Sequence, residues 1–492
     1  MKKTFLVLCL GIILSASNHL QARSLWAFLT YTTFNSPEGP FVETYLSFAG
    51  NSLKYLKLEN GKYQASVNVL MTFKQNEEIK AFKKYTFSSP EIADTTLVNL
   101  NFIDLQRFLI PNGTYDFEIQ LSDNNKTAKP MPYIQTVEVD FPSGKASMSG
   151  IELVKSYSKN ETTNLLSKSG YDLVPYVFTF YPETDSKLVF YCELYHIDTV
   201  IGKDQKFLLS YYLETFESNI KLNEFAKGKK ETGKNVNVLL SEFDIANLAS
   251  GNYNLVVEAR NQKNELICSK KLFVQRSNPN ARITLTDILT SDVRNTFAEK
   301  IVNPDSLKEY INSTYPIASG VEKSFIRNSI KTADIPTLQQ YLYSFWQRRN
   351  AESPEQAFLN YKMEVYKAQV NFGTPIKKGY ETDRGRVFLQ YGPPNARNVN
   401  YNEPSSYPYE IWQYYTLNNT QRNKKFVFYS HDMVTSDFTL LHSDAIGEIY
   451  EPRWRGFLRS RIYAPGAIDD TQIINAWGEN GDSEWTLPTS NL

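Results

Sequence analysis

Gly379–Pro394 reads GYETDRGRVFLQYGPP, and its reading decides the architecture of the last third of the chain. Thr382 and Asp383 are turn and cap residues, because their side-chain oxygens accept backbone N–H bonds. Gly385 admits the close approach of another backbone. Val387, Leu389 and Tyr391 alternate with Phe388 and Gln390, which predicts a strand. On that strand Arg384 and Arg386 share a face, and Asp383 pairs with one of them. Gly392-Pro393-Pro394 then forces a rigid exit. The segment is the junction where a helical region hands over to a terminal sheet. Two further readings stay open: an anion or peptide-terminus site built on the two arginine forks, and catalysis.

Working outward, the residues before the junction have helical spacing. Leu285, Ile288, Leu289, Val293, Phe297 and Ile301 recur at three and four residues, which predicts an amphipathic helix ended by Pro304. Further helices are predicted over about 305–313, 320–332, 335–350 and 354–372. In the last, Ser353 caps, Pro354 occupies the first turn, Gln356 completes a capping box, and Gly373-Thr374-Pro375 stops it. After the junction, residues 411–415, 426–429 and 438–442 read as strands. Residues 395–409, rich in Pro and Asn, read as a long surface loop.

These residues carry a resemblance. The run Gly379-Tyr380-Glu381-Thr382-Asp383, followed by Arg384-Gly385-Arg386 and the Tyr391-Gly392-Pro393-Pro394 corner, resembles the GWxTD-domain proteins of Bacteroidetes envelopes. Phe345-Trp346, the 353–372 helix, Trp412, the Phe426 strand, Leu441-His442-Ser443 and Gly447-Glu448 match in order. Tyr380 stands where the family has its name-giving Trp. The resemblance implies a compartment and a fold rather than a reaction. The residues assigned to binding are Tyr380, Thr382, Asp383, Arg384, Arg386, Tyr391 and Trp412.

The chain has 492 residues, too many for one core. Net charge is +0 and no basic stripe is present, which argues against nucleic acid as a partner. Aromatics at 14% suit β-structure. Lys2 and Lys3, the apolar run 5–14 and Leu20-Gln21-Ala22 read as an export signal over residues 1–22. Leu8 before Cys9 argues against a lipid anchor, and no later run is long enough to span a membrane.

Residues 23–145 read as a β-sandwich. Tyr63, Ala65, Val67, Val69, Met71 and Phe73 alternate with polar residues, and Asn60-Gly61 marks a hairpin. Residues 146–170 read as a linker with one strand at 151–154, and 171–276 as a second sandwich. Gly251-x-Tyr253-x-Leu255-x-Val257-x-Ala259-x-Asn261 repeats the frame Gly113-x-Tyr115-x-Phe117-x-Ile119-x-Leu121-x-Asp123. Leu188, Phe190, Cys192 and Leu194 likewise echo Val42, Thr44, Leu46 and Phe48. The echo predicts duplicated immunoglobulin-like modules. Each tyrosine packs in its core, or also bonds backbone as the tyrosine of a Greek-key corner does. Cys192 and Cys268 either form a disulfide or are buried, inert thiols.

The fold class is therefore multidomain and β-rich with α. It has two tandem sandwiches, a 277–284 linker, a helical region over 285–375, a GWxTD-type α+β domain with its β part over 376–463, and a polar tail from 464. Trp477 and Trp485 in that tail are anchors, either for the chain's own domains or for a partner.

No phosphate loop, nucleophile elbow or zinc spacing occurs. His431 and His442, with Asp432, Asp437, Asp444 and Glu448, are the candidates for catalysis or a metal. No cofactor is assigned. The leading functional expectation is an exported, non-catalytic adaptor that binds a protein partner in an outer-membrane-associated assembly. The alternatives are an envelope hydrolase or metal-dependent enzyme, and a glycan- or peptidoglycan-binding protein.

Overall fold

The computed structural model describes residues 25–459, apart from 95, 97, 99, 127–131, 280, 282–291, 404–405, 419–420, 433–434 and 452. The export signal, Trp477 and Trp485 lie outside the described residues. The chain is β-rich and divides into two units, the first ending at Pro142 and the second beginning at Ser143.

The first unit is a sandwich. Its strands are β1 (Ala27–Ser36), β2 (Gly39–Phe48), β3 (Leu56–Lys57), β4 (Tyr63–Gln64), β5 (Ser66–Gln75), β6 (Glu78–Ser88), β7 (Phe102–Leu109), β8 (Gly113–Asp123) and β9 (Tyr133–Val139). One sheet runs β1-β2-β7 and the other β6-β5-β8-β9, all antiparallel. The alternate residues Val67, Val69, Met71 and Phe73 are buried, as period-two patterning requires. Phe73 meets Phe108 of the facing sheet at 4.9 Å between ring centroids. The Asn60-Gly61 hairpin is present, joining β3 to β4.

The second sandwich opens the second unit. It comprises β10 (Ser147–Met148), β11 (Glu152–Lys159), β12 (Ser167–Lys168), β13 (Tyr171–Pro175), β14 (Phe180–Tyr181), β15 (Lys187–Tyr195), β16 (Lys206–Thr215), β17 (Lys221–Thr232), β18 (Val236–Asp244), β19 (Gly251–Arg260) and β20 (Leu266–Arg276). A short helix, α1 (Ile197–Ile201), follows β15. Here β11-β15-β18 repeats β1-β2-β7, and β17-β16-β19-β20 repeats β6-β5-β8-β9. The echoed frame falls on equivalent strands, β8 and β19. Both readings of its tyrosine hold. Tyr115 and Tyr253 are buried, and each hydroxyl donates at 2.8 Å to the carbonyl four residues upstream, of Pro111 and of Ala249.

One expectation changes here. Residues 146–170 are not a linker: β10, β11 and β12 belong to the second sandwich, and Met148, Ile151 and Leu153 lie in its core. The Ser- and Asn-rich surface of that stretch hid three short inward-facing runs. Cys192 and Cys268 are free thiols, on β15 and β20 of opposite sheets. Burial pushes the Cys192 thiol above its ordinary range, and that of Cys268 up to about 12.

The helices are α2 (Pro304–Ser313), α3 (Gly320–Asn328), α4 (Ile335–Arg349), α5 (Pro354–Phe372), α6 (Asp383–Tyr391) and α7 (Trp454–Arg459). The expected helix over 285–301 is not formed in its described part: residues 292–303 are turns and extended chain. Pro304 opens α2 instead of ending a helix. Asn303 caps it, accepting from the N–H groups of Asp305 and Ser306, and proline is favoured in a first turn. Residues 285–291 lie outside the described ones. Ser353 precedes α5 but makes no side-chain cap, and Gln356 bonds Asn360 instead. The true capping box is Ser319 with Glu322 at the start of α3.

Gly379–Pro394 departs furthest from expectation. Asp383–Tyr391 is helical, not a strand. Thr382 accepts from the N–H of Gly385 at 3.1 Å as N-cap. Gly392, at φ 83°, closes the far end. The Gly-Pro-Pro corner is thus a helix stop. Arg384 and Arg386 do not share a face, since two helical steps rotate by roughly 200°.

The terminal sheet is an antiparallel meander of β21 (Ala396–Asn400), β22 (Tyr409–Leu417), β23 (Gln421–Tyr429) and β24 (Thr439–Ser443). The expected 395–409 loop thus contains an edge strand. Helices α5 and α6 cover one face, where Phe372, Val387, Trp412, Tyr414 and Phe428 pack together. Helix α7 covers the other, with Trp454 and Leu458 against Ile411 and Val427. Phe358 of α5 belongs to the helical core of α2–α4, whereas Ala368 and Phe372 belong to the sheet's core. One helix therefore spans both halves, and the expected 375/376 boundary runs through the sheet's core rather than between two domains.

Candidate functional site

The junction is built from the motif residues upward. Gly379 lies so close to α5 that a Cβ there would stand 2.3 Å from the Ala368 carbonyl oxygen. Tyr380 is buried, and its hydroxyl meets Glu309 of α2 at 3.3 Å. Thr382 also donates to the Gly379 carbonyl at 2.8 Å. Asp383 accepts the Leu440 N–H at 2.7 Å, which ties α6 to β24.

Arg384 points into the sheet. Its guanidinium donates to Glu410 at 2.7 Å and to the Ser436 carbonyl at 3.0 Å, over the ring of Phe438. Glu410 is fully buried on β22 and is the hub. It also accepts from Arg397 at 2.8 and 2.9 Å, from Tyr401 at 2.5 Å and from the Trp412 indole at 2.8 Å. Burial opposes its charge. The bonds from Arg397 and Tyr401, the Arg384 charge and the Trp412 bond outweigh that and hold its carboxyl below the ordinary range. Arg386 turns the other way and grips Glu448 with both terminal nitrogens at 2.8 Å, and Tyr391 donates to the same carboxylate at 2.8 Å. A third buried carboxylate, Glu322, holds Arg348 and Arg349 at the ends of α3 and α4.

Both motif arginines are thus engaged with internal carboxylates, and Thr382, Asp383, Tyr391 and Trp412 also bond within the domain. Sequence reasoning missed Glu410. Its signal was present: Glu410, Trp412 and Tyr414 share one side of a strand, so a core-facing register places a carboxylate inside.

The histidine set is not brought together. His431 is exposed beside the rings of Tyr407 and Tyr429. His442 is buried, stacked on Trp454, and its Nδ1 accepts the Glu451 N–H at 3.1 Å. Asp432 holds Thr435, Asp437 pairs with Lys377, Asp444 accepts the Lys425 N–H, and Glu448 holds Arg386. Among the described residues no three His, Cys, Asp or Glu groups are placed to hold a metal.

His442 instead makes stability pH-dependent. Burial, with Lys425 and Arg455 nearby, lowers its pKa from 6.5 to about 4. Between those values the unfolded chain takes up a proton that the folded chain refuses. Stability contributed at neutral pH is therefore lost as pH falls from 6.5 toward 4, by about 2–3 kcal/mol at pH 4.5. Urea unfolding of wild type and His442→Phe at pH 7 and pH 4.5 checks this. The variant should lose less stability than wild type over that interval, and equal losses would contradict the assignment.

Residues 307–457 match the family model of the GWxTD domain. The chain carries a GWxTD domain. That domain runs from within α2 to α7, so the helices and the sheet form one module. No curated protein matches the chain. Solved structures resemble it weakly. A β-glucuronidase of Bacteroides uniformis is 9% identical, over 56% of this chain and 32% of that one, with TM-score 0.19. A putative β-galactosidase of Bacteroides fragilis is 11% identical, over 48% and 32%, with TM-score 0.18. Fibronectin(III)-like modules of Clostridium thermocellum CbhA are 8% identical, over 49% and 89%, with TM-score 0.14. The chain spans about a third of the length of the two Bacteroides structures, and at these scores the likeness carries no functional argument.

Among the described residues of the GWxTD domain, helix α5 carries an exposed apolar row. Helix α5 buries Phe358, Ala368 and Phe372. It also exposes Leu359, Met363, Tyr366 and Val370, at 44, 58, 65 and 66% of their surfaces. The spacing of four, three and four residues lines them up along the helix. Beside this stripe, α2, α4, α5 and Tyr380 line a partly open cleft of about 200 Å³. Tyr366 belongs to both.

Proposed function

We propose that the protein is an exported, non-catalytic adaptor of the cell envelope whose GWxTD domain binds a protein partner. The observation that carries this reading is the apolar stripe on α5. Four large side chains in one row expose on the order of 400 Å² of apolar surface, the size of patch that marks interaction sites on monomers. A stable dimer buries about 800 Å² per partner, so the stripe by itself fits a single amphipathic helix rather than a second copy. Helix-in-groove docking reads anchors at this spacing. Lys362 and Lys367 flank the row and are exposed, the first bonded to the Tyr310 hydroxyl and the second paired with Glu364. The motif arginines and their carboxylates supply rigidity behind this surface.

The test is cross-linking of intact cells through lysines, then purification of the full chain. Lys362 or Lys367 should join one envelope protein at an amphipathic helical segment. Met363→Glu with Val370→Glu should remove that adduct while leaving the unfolding midpoint unchanged, because both side chains are already in water. The same adduct from wild type and variant would overturn the reading.

A further inference from the structure

Two glycines of the GWxTD domain are set against the second sandwich. Gly320 opens α3 outside the positive-φ region, so the helix itself would favour alanine there. A Cβ at 320 would stand 2.2 Å from the Ser250 carbonyl oxygen and 3.1 Å from the Gly251 Cα. Ser250 and Gly251 belong to the corner turn that the Tyr253 hydroxyl ties to Ala249. The neighbouring sandwich, not the helix, therefore requires the glycine. One turn further on, Lys323 meets Glu217 at 3.4 Å, and Glu217, 4% exposed, also accepts from Asn252 of β19. Gly447, at φ 90°, lies on the paired rings of Phe216 and Phe273, which a Cβ would meet at 3.6 and 3.5 Å.

The turn that carries Gly447 is the one that Arg386 fixes. Glu448 follows it, held by Arg386 and Tyr391, and its N–H returns to the Ala445 carbonyl at 3.2 Å. The motif arginines thus divide their work: Arg384 faces the domain's own sheet, and Arg386 holds the turn that meets the sandwich. We propose that this face of the GWxTD domain is a docking surface for a β-sandwich, here the one that precedes it in the same chain, and that Arg386 is the positioning residue of the joint. The two then open as one cooperative unit, and the α5 row is carried at a fixed place on the second sandwich. This goes beyond the partner-binding reading and does not depend on it.

Native-state hydrogen exchange of the full chain in rising urea tests it, followed at Leu255 and Val257 of β19 and at Leu342 and Phe345 of α4. In wild type the four amides should merge into one opening event. Gly320→Ala, which an isolated helix would welcome, should split them into two events whose exchange rates differ by about tenfold or more. Arg386→Met should speed exchange of the Phe216 and Asn219 amides, in the other domain, by about tenfold, and Arg386→Lys should restore most of that protection. A role of Arg386 confined to its own sheet would leave those two amides unchanged. Separate opening events in wild type, a single event in Gly320→Ala, or unchanged exchange at Phe216 and Asn219 in Arg386→Met would overturn the proposal.

Discussion

Glu410→Ala should be the most damaging single substitution in the C-terminal domain. It removes the shared partner of Arg384, Arg397, Tyr401 and Trp412. Arg397 is 40% exposed and can turn to water, but Arg384 is only 8% exposed and cannot. Stranding a buried charge costs about 3–5 kcal/mol, on the order of 10 °C in unfolding midpoint for a domain of this size. Differential scanning calorimetry of the full chain reads it directly. A change of a degree or two would mean that the hub contributes little.

Gly385→Ala is the second. In an exposed helix this exchange gains about 1 kcal/mol from propensity. Here the sign reverses. A Cβ at 385 would lie 1.8 Å from the Gly379 carbonyl oxygen. That oxygen cannot swing aside without losing the Thr382 hydroxyl and N–H, which both bond to it. Helix α6 would have to lift from its own N-cap, carrying Asp383 and Arg384 with it. Overpacking against backbone costs about 3 kcal/mol or more. Urea unfolding should show a clear loss, and any stabilisation would contradict the packing described.

Much of this was legible in the chain. The sandwiches announced themselves through alternation, and their duplication through a Gly-x-Tyr frame that landed on equivalent strands. Helices α4 and α5 were bounded closely by spacing, Pro and Gly. The failures have physical causes. Val387, Leu389 and Tyr391 fit a strand, yet Arg384, Val387, Phe388 and Tyr391 also fit a helical face, and nine residues cannot separate the periods. The deciding signals were the Thr382 cap and the Gly392 stop. Pro304 fits an end or a first turn equally, and the Asn303 cap before it marks the start. The second row on α5 was visible on a helical wheel. The cleft was not, because it depends on how α2, α4 and α5 meet. The two motif arginines could be seen, but their partners sit 26 and 62 residues away, beyond what local pattern reaches.

The central claim is that the motif builds the domain and that partner binding lies elsewhere. A double-mutant cycle on Arg384 and Glu410 tests it most directly, with stability of the full chain as the readout. If the pair is a structural hub, Glu410→Leu should be strongly destabilising alone, and adding Arg384→Met should restore much of the loss. The coupling should be about 2–3 kcal/mol. Strictly additive losses, or a double variant less stable than either single one, would contradict the account.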